Sequence, residues 1–341
     1  MSANMNGGPT TSVYYPPRRP YFLDPLASCV SSGCLGCGGL LFPFVFVALL
    51  AVLLQYEAPV TRKFVSGKEN ATDKVAIIRI EDMISSNTGF VNDQIDDAFK
   101  DDAVKAVVLR VDSPGGTVSS SDYYYDKITK LRKKRDIPVV VSMGGVCASG
   151  GYYIAMAVGN ENDEVIFAEP TTWTGSIGVI IPHYDLSGLA EEWGIVPDSI
   201  KSHELKGMGG MLKPLTERER KILQSLVDDA FARFKQVIYT GRRTFRDDPA
   251  KLDAIATGQV FTTNDAVQNG LVDRVGYLED AVQQAVTLAG LDAENTEVFT
   301  YRNLETFSSF LESAQSRLEE NQVDLFRKCL TPRACYLWTV N

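Results

Sequence analysis

The feature that most restricts this chain is a recurrence of short runs dominated by β-branched residues. They are VAIIRI at Val75–Ile80, AVVLRV at Ala106–Val111 and PVVVSM at Pro138–Met143, each bounded by turn or helix signals. Such runs read as buried strands. Between them lie Val91–Lys100 and Ser120–Lys134, two segments of helical period. Strand, helix, strand, helix, strand in that order predicts parallel pairing and an α/β fold. The alternation continues with strands at Val165–Ala168 and Gly178–Ile181 and a short helix at Leu186–Trp193. A long helix then runs to about Thr240, opened by the capping box Thr216/Glu219, with Ile222, Leu226, Ala230, Phe234 and Val237 on one face. Val260–Gly276 reads as strand, helix and strand, and Leu278–Ala289 as a helix.

Ahead of this pattern stands Leu35–Leu54, LGCGGLLFPFVFVALLAVLL, without a single charged residue. At about 1.5 Å per residue it is long enough to cross a hydrocarbon core of about 30 Å, so it predicts one N-terminal transmembrane helix contacting lipid through residues 35–54. A cleaved signal peptide is the competing reading, disfavoured because the run starts late and outlasts an ordinary apolar signal region. The expected organisation is a disordered segment 1–34, a transmembrane helix 35–56, a polar linker 57–73, a main domain 74–303 and a C-terminal helix and tail 304–341. Arg62, Lys63 and Lys68 lie closer to the span than Arg18 and Arg19, which weakly favours a cytoplasmic main domain.

A net charge of −9 opposes a nucleic-acid surface, and the Lys130–Arg135 cluster reads as the solvated end of a helix. Cys29, Cys34 and Cys37 lack the paired spacing of a zinc site and have no histidine nearby, so no metal is expected. Cys329 and Cys335 can close a short disulfide loop only in an oxidising compartment.

Three loops leave the C-terminal ends of expected strands: Asp112–Gly116, Gly144–Ser149 and Thr174–Ser176. Each alone is an ordinary turn. Together they meet at the sheet edge where open α/β folds bind ligands. Their hydroxyls need a base to become nucleophiles. The chain has two histidines, His183 and His203, and His183 reads as a surface or satisfied core residue. A lysine kept neutral by apolar surroundings can replace histidine, and the candidates in IKSHELKGMGG are Lys201 and Lys206. The residues alone do not choose between them.

The SPGG loop, PVVVSMGGVCASGGYYIA, WTGSIGVI, IKSHELK, the LTERERKILQSLVDDAFARFKQVIYTGR helix and GLVDRVG occur in one order over roughly Lys74–Ala289. In that order they resemble the signal peptide peptidase A family of Ser-Lys membrane serine proteases, in its short form with one catalytic domain. The resemblance implies a crotonase-like or Clp-protease-like repeated strand-helix fold. It implies Ser149 as nucleophile and Lys206 as its base. It also implies backbone amides of Gly116 and Ser149 as the oxyanion hole, and Ser176 as the residue that orients the lysine. Lys201 becomes a structural residue at a strand end. The family's usual glycine after K-S is His203 here and Gly207 follows the second lysine, so the loop carrying the base departs from the family pattern.

The activity implied is a membrane-anchored endopeptidase that degrades remnant signal peptides and other unfolded apolar peptides, without cofactor. The resemblance also implies a ring- or dome-shaped homo-oligomer, in which one protomer contributes to its neighbour's site. The implied location is a bacterial-type plasma membrane with the domain extracytoplasmic, against the charge signal. Two other classes compete: a crotonase-like acyl-coenzyme A thioesterase or isomerase, and a catalytically silent membrane scaffold. The tail Phe326–Trp338 is expected to dock on a neighbouring protomer or to occupy a substrate groove.

Overall fold

The computed structural model describes residues 60–303 and 334–337. The expected disordered segment, the expected transmembrane helix and most of the tail lie outside the described residues. Among the described residues no helix is long and apolar enough to cross a membrane.

Strand β1 (Thr61–Gly67) leads into β2 (Asp73–Glu81), α1 (Phe90–Lys100), β3 (Val104–Ser113), β4 (Gly115–Thr117), α2 (Val118–Arg135), β5 (Val139–Ala148) and α3 (Gly150–Ala155). Then follow β6 (Ile166–Ala168), β7 (Trp173–Gly175), α4 (Ser187–Glu192), α5 (Glu217–Gly241), α6 (Arg243–Asp247) and α7 (Pro249–Ile255). The remaining elements are β8 (Val260–Thr262), α8 (Thr263–Gln268), β9 (Arg274–Val275), α9 (Leu278–Leu288), β10 (Thr296–Arg302) and β11 (Cys335–Leu337). The main sheet runs β1-β10-β2-β3-β5-β6-β9, and from β10 to β9 every pairing along that path is parallel.

The strand runs are mostly apolar because both faces are covered, with Arg79 and Arg110 as exceptions near the strand ends. Ala76, Ile78, Ile80, Val107, Leu109 and Val111 join the larger core with residues of α1 and α2. Their alternate neighbours Val75, Ile77, Ala106 and Val108 pack against Ala281, Ala285 and Val286 of α9. A two-residue side-chain period thus fixes two core layers, one on each side of the sheet.

Three expectations differ from what is seen. Within the expected linker, Thr61–Gly67 forms an edge strand antiparallel to β10. Arg62 holds it there, pairing with Asp97 and Asp101. The expected strand Gly178–Ile181 makes one bridge, between Ile180 and Cys335. The long helix has its capping box at Thr216/Glu219, but Leu226 is exposed and its buried apolar residues, Phe234, Val237 and Ile238, lie in its C-terminal half.

Candidate active site

The site is made by a fault in one strand. From β3 to β5 the register runs Val111↔Met143 and then Ser113↔Cys147, so β5 carries two extra residues, Gly144 and Gly145. Before them β5 pairs with β6, and after them with β7. A side chain at Gly144 would place its Cβ 2.8 Å from the Asp112 carboxyl carbon. That carboxylate instead accepts from the Val146 N–H at 3.0 Å. Two buried threonines satisfy the displaced carbonyls, Thr172 donating to Gly144 and Thr174 to Cys147, each at 2.7 Å. The bulge re-aims the strand end, and Ser149 is the residue that follows it.

Ser149 has φ 53° and ψ −112°, a conformation that residues with a side chain rarely adopt. It is 1 % exposed and its side chain caps nothing, although it precedes α3. The next two positions have no room for a Cβ. At Gly150 one would stand 2.5 Å from the Ser121 Oγ and 3.1 Å from the Gly116 nitrogen, and at Gly151 3.0 Å from the Ser113 carbonyl. At Gly116 it would stand 1.9 Å from the Ile84 carbonyl oxygen. The expected loops therefore do converge: Gly115–Gly116, Ser149–Gly150 and Gly175–Ser176 are neighbours.

The expected role of the Ser149 amide is corrected by the structure. That N–H donates to the Gly175 carbonyl at 2.8 Å as part of the β5–β7 ladder, so it cannot also hold an oxyanion. The Gly150 N–H has no acceptor among the described residues. It lies beside the Gly116 amide, which makes Gly116 and Gly150 the adjacent pair of donors. Sequence reasoning named the amides of Gly116 and Ser149 and did not name that of Gly150.

Cys147, two residues before the serine, is fully buried, and burial followed by the Asp112 charge pushes its thiol pKa well up. It is a packing residue rather than a competing nucleophile. Ser176, at φ 49°, is buried, donates its N–H to the Gln259 carbonyl at 2.8 Å and lines a cavity of about 450 Å³ with Ile180 and Leu337.

Lys206 is not with them. It is exposed on a short 3₁₀ turn, Glu204–Gly207, and lines a separate depression with Ile200, Lys201 and Leu212. Among the described residues its amine makes no hydrogen bond to Ser149 or Ser176. Lys201 is not at a strand end; its amine would lie 2.9 Å from a Cβ at Gly207. His203 accepts from the Leu205 N–H through Nδ1 at 3.2 Å and so caps the turn. The segment bearing this loop exposes large apolar side chains: Trp193 at 72 %, Val196 at 82 % and Ile200 completely.

Among the described residues no cluster of side chains is suited to a metal ion. A nucleophile on a strained turn beside two backbone donors is suited to acyl transfer.

The profile of peptidase family S49 matches residues 131–292. The Synechocystis sp. protein slr0021 is 36 % identical over 252 residues, covering 74 % of this chain and 87 % of that relative. Protease 4 of Haemophilus influenzae is 30 % identical over 268 residues, 74 % of this chain and 42 % of the relative. The chloroplastic serine protease SPPA of Arabidopsis thaliana is 32 % identical over 245 residues, 67 % of this chain and 34 % of the relative. The chain thus spans less than half the length of the last two. A bulged strand delivering Ser149 to a glycine-lined ledge, on a parallel α/β sheet, sits within the matched region, and the chain belongs to peptidase family S49, the signal peptide peptidase A family of serine-type peptidases.

Proposed function

We propose that this serine-type peptidase is a membrane-anchored endopeptidase of unfolded apolar peptides, remnant signal peptides among them, using Ser149 as nucleophile and Lys206 as base. The observation that carries the nucleophile is the Ser149 backbone at φ 53°, held beside the Gly116 and Gly150 amides. The Ser149 oxygen attacks a peptide carbonyl carbon, the two amides take up the developing negative charge, and the base accepts the hydroxyl proton. That proton passes to the leaving amine as the C–N bond breaks. Water then releases the acyl group from Ser149, and no cofactor enters the cycle.

The base comes from a second copy of the chain. Lys206 is exposed and lines a depression apart from Ser149, and the exposed side chains of Trp193, Val196 and Ile200 in the segment leading to it invite burial against a neighbour. Burial there also supplies the dry setting in which an amine can act as a base. Ser176, which lines the neighbouring cavity, accepts a hydrogen bond from that amine and aims it in this reading. A homo-oligomeric ring or dome anchored through residues 35–54, with its catalytic domains outside the cytoplasm, satisfies these requirements.

Complementation tests the arrangement. Ser149→Ala and Lys206→Met chains, each inactive alone, are co-expressed and purified as mixed oligomers, and hydrolysis of an unfolded protein is measured. Recovery of a substantial fraction of wild-type activity is expected. No recovery in oligomers shown to be mixed rules out a base supplied by the neighbour.

A further inference from the structure

The basic run Lys130–Arg135, expected to be the solvated end of a helix, divides in the structure. Lys130 pairs with Asp126 one turn back, and Arg135 donates to the Phe99 and Asp101 carbonyls at 2.7 and 3.1 Å. Arg132 and Lys133, in the last turn of α2, instead line a cavity of about 470 Å³ together with Arg246 of α6. Tyr125 of α2 and Tyr239 of α5 add two rings to its walls, and the loop after α3 adds Gly159, Asn160 and Glu161. Arg132 lies about 21 Å along α2 from Val118, at the opposite end from the Gly115–Gly116 loop. The cavity is therefore separate from the ledge that carries Ser149.

One anion of the chain's own already sits in it. The Glu161 carboxylate accepts from Arg132 Nη1 at 2.5 Å and from the Asn160 N–H at 3.0 Å. The bond from Arg132 holds the Glu161 carboxyl below the usual carboxylate range. This close approach needs Gly159, at φ 74°, because a Cβ there would stand 2.2 Å from the bound Glu161 oxygen and 2.5 Å from the Arg132 guanidinium carbon. Arg243 pins the same loop, donating to the Asn160 carbonyl at 2.9 Å. Glu161 nevertheless leaves the site half satisfied. Its side chain is 55 % exposed while that of Arg132 is 12 % exposed, so a buried cation is paired with a carboxylate free to turn into solvent. Arg132 Nε and Thr129 Oγ1, on residues of the same wall, are buried without a hydrogen-bond partner among the described residues. One lining carboxylate also faces three lining cations, of which Arg246 has Asp247 as a further neighbour at 3.3 Å.

We infer that this cavity binds a phosphate monoester with a compact organic body. The phosphate takes the place of the Glu161 carboxylate on Arg132 and the Asn160 N–H, Lys133 and Arg246 balance its charge, and the organic body lies against Tyr125 and Tyr239. A phosphate monoester carries about −1.5 to −2 at neutral pH and offers three acceptor oxygens, which suits a guanidinium fork beside two further cations better than the single charge of a carboxylate. The volume of about 470 Å³ falls in the range of small-molecule sites. A soluble nucleotide and the headgroup of a monoester phospholipid share this chemistry.

Isothermal titration calorimetry of the full chain in detergent and phosphate-free buffer, with adenosine 5′-monophosphate and dihexanoyl phosphatidic acid as probes, tests the assignment. At least one probe is expected to bind with a Kd of about 1 mM or tighter. Lys133→Glu is expected to weaken that binding about tenfold, and Glu161→Gln, which removes the competing charge, to tighten it about threefold. An ion pair that served only the fold would not give the gain in Glu161→Gln. Both residues are exposed, so both variants are expected to keep the wild-type circular dichroism spectrum. Binding of the nucleotide alone identifies a soluble ligand and binding of the lipid analogue alone a headgroup, and either supports the site. Failure of both probes to bind at about 1 mM overturns the inference, as does binding indifferent to both substitutions, or adenosine binding as tightly as its monophosphate.

Discussion

Gly150→Ala separates the Gly150 amide from the Ser149 amide as the second oxyanion donor. The added Cβ would stand 2.5 Å from the Ser121 Oγ, 3.1 Å from the Gly116 nitrogen and 3.2 Å from the Gly115 Cα. Carbon contacts are comfortable only at about 3.5–4.0 Å, so either α3 or the Gly115–Gly116 backbone must retreat by several tenths of an ångström. The Ser121 hydroxyl is not free to swing away, because it donates to the Thr117 carbonyl at 2.9 Å. Both donors then miss the oxygen they are meant to hold. Loss of one such donor costs about 10²–10³ in kcat, and overpacking of this kind about 1–3 kcal/mol of stability. For a domain of this size that means a Tm lowered by several degrees. Steady-state hydrolysis of a fluorogenic peptide, with thermal melting of the same samples, is the assay. The expected result is a kcat reduced about 100-fold, a KM changed far less and a protein still folded at 25 °C. A kcat within threefold of wild type would refute the assignment of Gly150.

Lys206→Met is expected to lower kcat by about 10²–10⁴ without moving the melting temperature of the chain, because the exposed amine makes no hydrogen bond or ion pair among the described residues. Glu219→Gln weakens the capping box of α5, where the carboxylate bonds Lys213 and the Thr216 N–H, and should cost about 1 kcal/mol in denaturant titration. The Lys213 hydrogen bond, then the Thr216 N–H, hold the Glu219 pKa below its ordinary value, so this contribution is full above that ordinary value. It is lost as pH falls through the lower folded one, and wild type and variant should converge in acid. At the other end of the scale, burial raises the pKa of Cys147 and of Tyr152 above their ordinary values of 9.0 and 10.0. Their neutral forms favour the fold fully below those values, so stability should decline as pH rises beyond about 9, read by denaturant titration in steps of pH. Native-state alkylation with peptide mapping should leave Cys147 unmodified.

Much of the fold could be read because β2, β3 and β5 are buried on both faces and write that burial into VAIIRI, AVVLRV and PVVVSM. The capping box at Thr216 and Glu219 marked the start of α5 for the same kind of reason, a local bond set by residue type. Convergence of the three glycine-bearing loops followed from parallel pairing alone. What stayed hidden was register. The two-residue bulge at Gly144–Gly145 carries Ser149 into the β7 ladder and consumes its amide, and no periodicity within one strand reports a mismatch with its neighbours. Strand β1 was missed because its side chains are mostly exposed and it is fixed by the distant carboxylates of Asp97 and Asp101. The expected strand Gly178–Ile181 makes a single bridge rather than a ladder, and its partner there is Cys335 of the tail. The residues narrowed the base to Lys201 or Lys206 and only family resemblance chose between them, since among the described residues nothing ties the loop from Glu204 to Gly207 to the serine.

The most direct measurement of the central claim is covalent: the protein in detergent is treated with an acylating serine-protease probe, and the adduct is located by peptide mapping. One adduct on Ser149 is expected in wild type, absent from Ser149→Ala and sharply reduced in Lys206→Met. An adduct on another residue, or labelling that survives Ser149→Ala, would contradict the account.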